Sequence, residues 1–178
     1  MAAASLAVPV SVYEYLHSTY EPDQDYVDGS LEERHMGEFE HQAMQRAFLL
    51  ALSRLEREHS FYTALELRVQ VAPARYRVPD VCLLQAGSLP KRFVTEPPML
   101  CIEVLSPEDR FSRTFEKCQD YLRMGVPEVW VIDPELRKAH VLTADGTMRE
   151  HGDGPLRLAG TAISVHLQEI FAVLDPQG

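Results

Sequence analysis

Two acidic residues in the middle of the chain have the surroundings that divalent-cation chemistry needs. Glu103 lies inside the apolar run of residues 99–105, where an isolated buried carboxylate would cost several kcal/mol unless it were paired or faced a cavity. Asp80 follows Pro79 and begins another apolar run, and a proline there suits the first position of a strand or a bulge. If these two strands are neighbours, both carboxylates can converge on one hard cation such as Mg²⁺, which leaves room for a phosphate.

Lys117 is the third candidate for chemistry. It lies on a predicted helix, about 120° from the apolar stripe and on the same edge as Tyr121 and Arg110. The helix follows the Glu103 strand after one short loop, so it should pack back over the sheet. A lysine there could stabilise the charge that develops on a phosphate or help to position an attacking water.

Each of these residues also has an ordinary structural interpretation. Glu103 could form a buried salt bridge, since ionic networks also explain acidic residues in apolar strands. Asp80 could cap a turn, and Lys117 could be a solvated lysine on a helix surface.

The hydrophobic pattern predicts the elements that must position these residues. In chain order it predicts a helix over 11–17 with Ser11 as its N-cap, a hairpin at Asp28-Gly29, a long helix over 38–58, a strand over 61–71, interior strands over 78–84 and 99–105, a helix over 111–124, an interior strand over 129–132, strands over 139–142 and 156–158, and a terminal helix or extended tail over 165–173. Consecutive strands before the second long helix indicate a mixed sheet in an α/β (α+β) fold. We expect a flexible tail over residues 1–10 and a single domain over residues 11–178.

The composition restricts the possible partners and the compartment. A net charge of −10 argues against a general nucleic-acid-binding surface, although bases outnumber acids in residues 67–123, which contain the three candidates. No apolar stretch approaches the roughly 20 residues that cross a bilayer. The three cysteines lack C-x-x-C spacing and fit small core residues in a reducing cytoplasm. We therefore expect a cytoplasmic protein without a membrane partner.

Asp80, Glu103 and Lys117 together resemble the PD-(D/E)XK nuclease pattern, with the lysine moved to the helix from its usual place, where Leu105 stands. More specifically, the chain resembles the Uma-type restriction endonuclease family, a bacterial domain of unknown function within that superfamily. The matching segments are residues 26–31, His41-Gln42, residues 78–81, residues 102–107, Lys117, Tyr121 and residues 125–133. They cover roughly residues 11–143, and Gly-Val-Pro-Glu-Val-Trp over residues 125–130 is the most specific part.

The resemblance implies a restriction-endonuclease-like αβββαβ core, with a mixed central sheet flanked by helices. It also implies hydrolysis of phosphodiester bonds with Mg²⁺ or Mn²⁺, in which Asp80 and Glu103 hold the metal and Lys117 is the catalytic cation. His41 matches a histidine of the family, and Tyr121 falls in a matching segment, so both are candidates for supporting roles.

Two positions depart from the family pattern. Arg113 stands four residues before Lys117, where the family usually has an aspartate, and an arginine there would repel the lysine and could lower its pKa. Asp25 stands where the family often has a glutamate, so this supporting position keeps the charge with a shorter reach.

Two functions from different classes are compatible with these residues. The first is a magnesium-dependent nuclease acting on DNA. Because phosphate contacts normally supply most of the affinity for DNA, the acidic composition suggests a homodimer that gathers basic residues around one groove. We expect Arg75, Arg77, Arg110 and Arg113 to contact nucleic acid there. The second is a catalytically silent nuclease-fold protein that binds a partner. A nucleotide-binding enzyme has little support, since the sequence lacks a Gly-rich phosphate loop.

Overall fold

The computed structural model of the chain describes residues 9–34, 39–107 and 111–175. In chain order, the helices and strands are α1 (Val12–His17), β1 (Asp25–Val27), β2 (Ser30–Glu32), α2 (Phe39–Ser53), α3 (Glu56–His59), β3 (Phe61–Leu65), β4 (Val69–Ala72), β5 (Arg75–Arg77), β6 (Val81–Gln85), β7 (Leu100–Val104), α4 (Phe111–Met124), β8 (Glu128–Asp133), β9 (Lys138–Thr143), β10 (Met148–His151), β11 (Pro155–Arg157), β12 (Ser164–His166) and α5 (Leu167–Phe171), followed by a 3₁₀ turn (Ala172–Leu174). None of the helices in these ranges is long and apolar enough to cross a bilayer.

A six-stranded mixed sheet forms the centre of the fold. Its strand order is β10-β9-β8-β7-β6-β3, in which β7 and β8 are parallel and the other neighbours are antiparallel. Helix α4 makes the crossover that a parallel pair requires. The succession α2, β3, β6, β7, α4, β8 is the αβββαβ order that the resemblance implied, with β4 and β5 inserted after β3. The predicted mixed sheet flanked by helices is therefore confirmed.

Helices cover both faces of this sheet. Residues such as Ile102 and Trp130 pack in the cluster that contains α2 and α5, whereas Cys101 and Val129 pack in the cluster that contains α4. The interior strands are accordingly buried on both faces, which explains their continuous apolar runs. Because side chains alternate along a strand, Glu103 shares the face of Cys101 and points towards α4.

A second, antiparallel sheet of four strands lies in the order β2-β1-β5-β4. Its β1–β2 hairpin turns at Asp28 and Gly29, whose φ angles of 50° and 98° suit the two-residue turn expected of an Asp-Gly pair. A separate two-stranded sheet joins β11 and β12. The four-stranded sheet matters for the site because it supplies Asp25 and Arg77.

The ends of two helices agree with their sequence signals. The Ser11 hydroxyl accepts a hydrogen bond from the amide of Glu14 at 3.1 Å, as expected of an N-cap. Helix α4 ends before Gly125, whose φ of 110° is accessible to glycine at low cost. The prediction of a tail over residues 1–10 lies outside the described residues, apart from Pro9 and Val10. The amide of Val10 donates to the carbonyl of Gly29 at 2.9 Å.

Several predicted elements differ from the structure. The segment 61–71 is not one strand, because the chain turns at Glu66 (φ 50°) and passes from the central sheet into the four-stranded sheet. The long helix predicted over 38–58 is split into α2 and α3. The turn at Asp145-Gly146 leads into β10, which the sequence did not indicate because its residues are mainly polar and exposed. The terminal segment forms both β12 and α5.

Candidate functional site

The carboxylate of Asp80 lies at the end of the central sheet. Because Val81 pairs with Ile102, Asp80 stands beside the end of β7, where its Oδ2 accepts the backbone N–H of Val104 at 2.7 Å. His41 Nε2 lies 3.2 Å from the same oxygen, and Arg34 Nη2 donates to Oδ1 at 2.7 Å. Asp80 is therefore buried and held by donors on both oxygens.

These contacts keep Asp80 ionised. Burial raises the pKa of the Asp80 carboxyl, but the hydrogen bond from His41 and the charge of Arg34 outweigh burial and hold the pKa well below 3.8. Burial lowers the pKa of His41, but Asp80 reverses this and raises it above 6.5. Asp80 is an anion at neutral pH, and its charge favours the imidazolium form of His41.

Glu103 lies between two donors from α4. Lys117 Nζ donates to Oε2 at 2.9 Å, and the Tyr121 hydroxyl donates to Oε1 at 2.8 Å. Burial raises the pKa of Glu103 to about 7 against the opposing charge of Lys117, and the nearby Asp80 adds to the rise. Burial also raises the pKa of Tyr121 well above its usual value, so its hydroxyl remains a donor.

The ammonium group of Lys117 is fixed on three sides. It donates to the carbonyl of Val78 at 2.8 Å and to Glu103, and it lies 3.8 Å from Asp25 Oδ2. Burial lowers the pKa of Lys117, but Asp25 and Glu103 together raise it above 10.5. The expectation that Arg113 would lower this pKa is therefore wrong.

Arg113 contacts Glu32 and Glu33. Its Nη2 donates to the carbonyl of Glu33 at 2.9 Å, and its Nε lies 3.7 Å from Glu32. These contacts direct the guanidinium towards the acidic segment after β2.

Helix α2 contributes two residues to the Asp80 environment. His41 lies in its first turn, and Gln45 lies four residues later on the same face. The Gln45 amide donates to Glu66 at 3.1 Å and to Asp80 at 3.5 Å. The long helix therefore reaches the site through a histidine and an amide one turn apart.

A buried ionic cluster lies behind Lys117. Arg77 is 1% exposed and contacts Asp25, Glu32 and Asp120 at 2.8 to 3.2 Å, while Asp25 also accepts the backbone N–H of Val78 at 2.8 Å. We predicted that Arg77 would contact nucleic acid, but its burial inside this cluster makes it a structural residue.

The other predicted nucleic-acid contacts have different surroundings. Arg75 pairs with Asp28 and Asp120 but remains partly exposed. Arg113 is the most open of them, with 41% of its side chain exposed. Arg110 lies outside the described residues. Arg75 and Arg113 are thus still available at the surface.

A cavity of about 50 Å³ joins the predicted site residues. It is lined by Asp25, Glu33, Arg34, His41, Asp80, Glu103, Val104, Arg113, Thr114 and Lys117. Tyr121 touches the site through Glu103. The sequence-predicted residues for metal binding, catalysis and support thus come together at one place.

The donor types fit a hard divalent cation, because the carboxylates of Asp80, just before β6, and Glu103, in the adjacent β7, line the same cavity. The arrangement, however, leaves no carboxylate oxygen without a donor: Arg34, Val104 and His41 contact Asp80, and Lys117 and Tyr121 contact Glu103. Within the described ranges, no group of three His, Cys, Asp or Glu side chains is arranged to hold a metal ion. A cation would therefore have to share an oxygen with one of these donors or replace that donor.

Sequence reasoning missed three residues that shape the site. Gln45 could have been found, because it follows His41 by one helical turn. Asp120 occupies the same helix as Lys117, but nothing in its spacing predicts an ion pair with Arg77. Arg34 follows the hairpin in a polar segment and carries no sequence signal for a contact with Asp80.

Comparison with known families identifies the family to which this chain belongs. A family model described as "Uma2: Putative restriction endonuclease" matches residues 12–165, which is most of the chain. The chain belongs to the Uma2 family. The resemblance seen in the sequence is thereby confirmed, and the matched range includes all the predicted site residues of the described structure. The Uma2 description agrees with the nuclease class inferred from the sequence.

A solved structure supports the fold of this Uma2 chain. It comes from Anabaena variabilis and is described as "a putative nuclease belonging to DUF820". The likeness has a TM-score of 0.83 and covers 93% of this chain and 99% of that chain, at 20% sequence identity. A comparison with curated proteins gave no match.

Proposed function

We propose that this Uma2 chain hydrolyses phosphodiester bonds of DNA in a reaction that depends on Mg²⁺ or Mn²⁺. The observation that carries the proposal is the convergence of Asp80, Glu103 and Lys117, from three different elements, on one cavity. Asp80 binds the amide that directly follows Glu103, and Lys117 binds Glu103 itself. Folding alone does not explain such a cluster, since buried ion pairs are often no more stabilising than apolar residues of similar size.

Asp80 and Glu103 would hold the cation. Glu103 lies in β7 and Asp80 directly precedes the neighbouring strand β6, and Mg²⁺ needs only a few protein oxygens because it keeps several of its waters. When bound, the cation would supply Lewis-acid stabilisation of the negative charge at the phosphate. His41 orients Asp80, and Tyr121 orients Glu103, so these two residues have positioning roles.

Lys117 would act as a fixed positive charge towards a phosphate oxygen. Because its pKa is raised, it is an ammonium at neutral pH and cannot take a proton from water. The carbonyl of Val78 and the carboxylate of Asp25 hold its Nζ beside the cavity. A preorganised charge of this kind stabilises a transition state because it needs no reorientation during the reaction.

Cleavage of plasmid and single-stranded DNA with Mn²⁺ tests this proposal. We expect Lys117→Met to lower the cleavage rate by roughly 10²-fold or more, because one preorganised electrostatic contact is removed. Lys138→Met is the matched control, since Lys138 is a surface residue paired with Glu150. Equal cleavage by the intact protein and Lys117→Met would remove Lys117 from the mechanism.

A second candidate function is a catalytically silent nuclease-fold protein that binds a partner. The occupied carboxylates of Asp80 and Glu103 favour it, as does the net charge of −10. Calorimetry with Mg²⁺ or Mn²⁺ separates the two functions. A binding signal that disappears in Asp80→Ala and Glu103→Ala supports the nuclease, whereas no signal in the intact, folded protein supports the silent scaffold.

We further propose that a homodimer presents the substrate-binding surface. One protomer carries few exposed bases near the cavity, and pairing two of them would place Arg75 and Arg113 of both around one groove. Sedimentation velocity with and without duplex DNA tests this proposal. A protein that stays monomeric in both states, at concentrations that support cleavage, would contradict it.

A further inference from the structure

Arg34 is the least expected residue at the site. Its side chain is 6% exposed, and its Nη2 lies 2.7 Å from Asp80 Oδ1. Asp80, Glu103, Asp25 and Glu66 all attract its positive charge. A guanidinium therefore lies where the carboxylates of the site concentrate their negative potential.

With Arg34 in this place, the three buried carboxylates at the cavity each contact a positively charged side chain. Asp80 pairs with Arg34, Glu103 with Lys117, and Asp25 with Arg77. A divalent cation would add two positive charges to a site that already has a partner for each buried carboxylate. Because interactions between buried charges are weakly screened, such an excess would be costly.

Arg34 also contacts the oxygen of Asp80 that a cation would use. Asp80 Oδ2 already has two donors, the amide of Val104 and His41, so Oδ1 is the oxygen with more room for a cation. Arg34 contacts this atom directly, while the amide of Gln45 is more distant at 3.5 Å. Arg34 and a cation thus compete for the same atom.

The few contacts of Arg34 would allow its side chain to leave Asp80. Its backbone belongs to neither a helix nor a strand. Among the described residues, Asp80 is its one hydrogen-bond partner, and Nη1 is buried with no partner there. Asp80, by contrast, keeps the Val104 amide and His41 when Arg34 is removed.

We propose that Arg34 occupies the cation position at Asp80 and that divalent metal binds only when Arg34 leaves. This inference rests on the proposed function, because it assumes that Asp80 is a metal ligand. Arg34 then sets the metal concentration at which the site fills, and the state with Arg34 engaged is the metal-free state.

Calorimetry with Mn²⁺ in the absence of DNA tests the competition directly. We expect Arg34→Met, which keeps the length of the side chain without its charge, to bind Mn²⁺ more tightly by roughly tenfold or more. Arg137→Met is the matched control, because Arg137 pairs with Asp175 at the surface and does not line the cavity, and it should bind Mn²⁺ like the intact protein. Equal or weaker binding by Arg34→Met would overturn the inference.

Two measurements keep the test decisive if Arg34→Met folds poorly. Mn²⁺ should raise the melting temperature of Arg34→Met more than that of the intact protein, since a tighter ligand stabilises more. In the intact protein, saturating Mg²⁺ should shift the NMR signal of the Arg34 guanidinium, and an unchanged signal at saturation would contradict the competition.

The outcomes also separate this inference from the proposed function. If the intact protein and Arg34→Met bind Mn²⁺ equally and DNA is cleaved, the competition is wrong and the nuclease stands. If neither binds Mn²⁺ while both are folded, the metal-dependent nuclease and the competition fail together.

Discussion

Glu103 is the acidic residue at the cavity whose charge changes near neutral pH. Burial raises its pKa to about 7, whereas Asp80 stays ionised because His41 and Arg34 lower its pKa. A protonated carboxyl is a poor metal ligand, so if Glu103 holds a divalent cation as proposed, the affinity for that cation falls as the pH drops through the pKa of Glu103. Acidification below about pH 7 therefore weakens binding, and alkalinisation above it has little further effect.

We expect the association constant for Mn²⁺ to fall about tenfold for each pH unit below about 7, as for a single ligand proton. Calorimetry at several pH values from about 6 to 8 measures this dependence. His41 is the second group that titrates nearby, because its pKa is also raised. The dependence should persist in His41→Asn, and its loss in that variant would assign the effect to His41 instead.

The site residues differ in whether their roles can be predicted from the sequence. Asp80 and Glu103 can be predicted because each is an acid at an apolar strand, where the cost of burial demands a reason. The role of Arg34 cannot be predicted, since it depends on a contact with a residue 46 positions away. A polar residue in a polar segment gives no local indication of such a partner.

At the level of secondary structure, the ion cluster around Arg77 joins the strands β1, β2 and β5 to helix α4. Asp25, Glu32 and Asp120 all contact this one guanidinium. Removing it would leave three carboxylates without their shared cation, two of them almost fully buried. Arg77 therefore forms the most buried of the ion pairs that join the four-stranded sheet to α4, beside Arg75–Asp120 and Lys117–Asp25.

We expect Arg77→Met to lower the free energy of unfolding by about 3–5 kcal/mol, because breaking a buried pair leaves uncompensated charge. Guanidinium chloride denaturation measures the change. Arg137→Met is the control, since Arg137 pairs with Asp175 at the surface and should contribute less than about 1 kcal/mol. A similar small change in Arg77→Met would show that water reaches the cluster.

Elements with strong local signals could be predicted, and those set by tertiary context could not. Helix α4 has the predicted bounds, because its apolar stripe and Gly125 define both its face and its end. The segment 61–71 keeps its alternation across the bend at Glu66, so periodicity does not show that the chain changes sheets. Strand β10 forms at a sheet edge, where polar residues satisfy the pairing with β9.

For the molecule as a whole, charge is the main constraint on a nucleic-acid substrate. The chain carries a net charge of −10, and Arg77 is withdrawn into the interior. Among the described residues, the exposed bases near the cavity are few, so one chain can neutralise only a few phosphates. The affinity for DNA should therefore be modest, and it should depend less on salt concentration than is usual for a nuclease.

We expect the logarithm of DNA affinity to fall with the logarithm of salt concentration with a slope shallower than about −4. Fluorescence anisotropy with the Glu103→Gln variant measures binding in the absence of cleavage. Arg113→Ala should make the slope shallower by about 1, because one phosphate contact is lost. Arg137→Ala should leave it unchanged, and the absence of any slope would exclude DNA binding through phosphates.

The position of Lys117 on α4 has a consequence for the newly made protein. Asp80 and Glu103 leave the ribosome before the lysine does, and the lysine reaches them only after α4 has folded back onto the sheet. If Lys117 acts as proposed, an incomplete nascent chain has the acidic half of the site and no means of cleavage. Docking of one helix would then complete the proposed site.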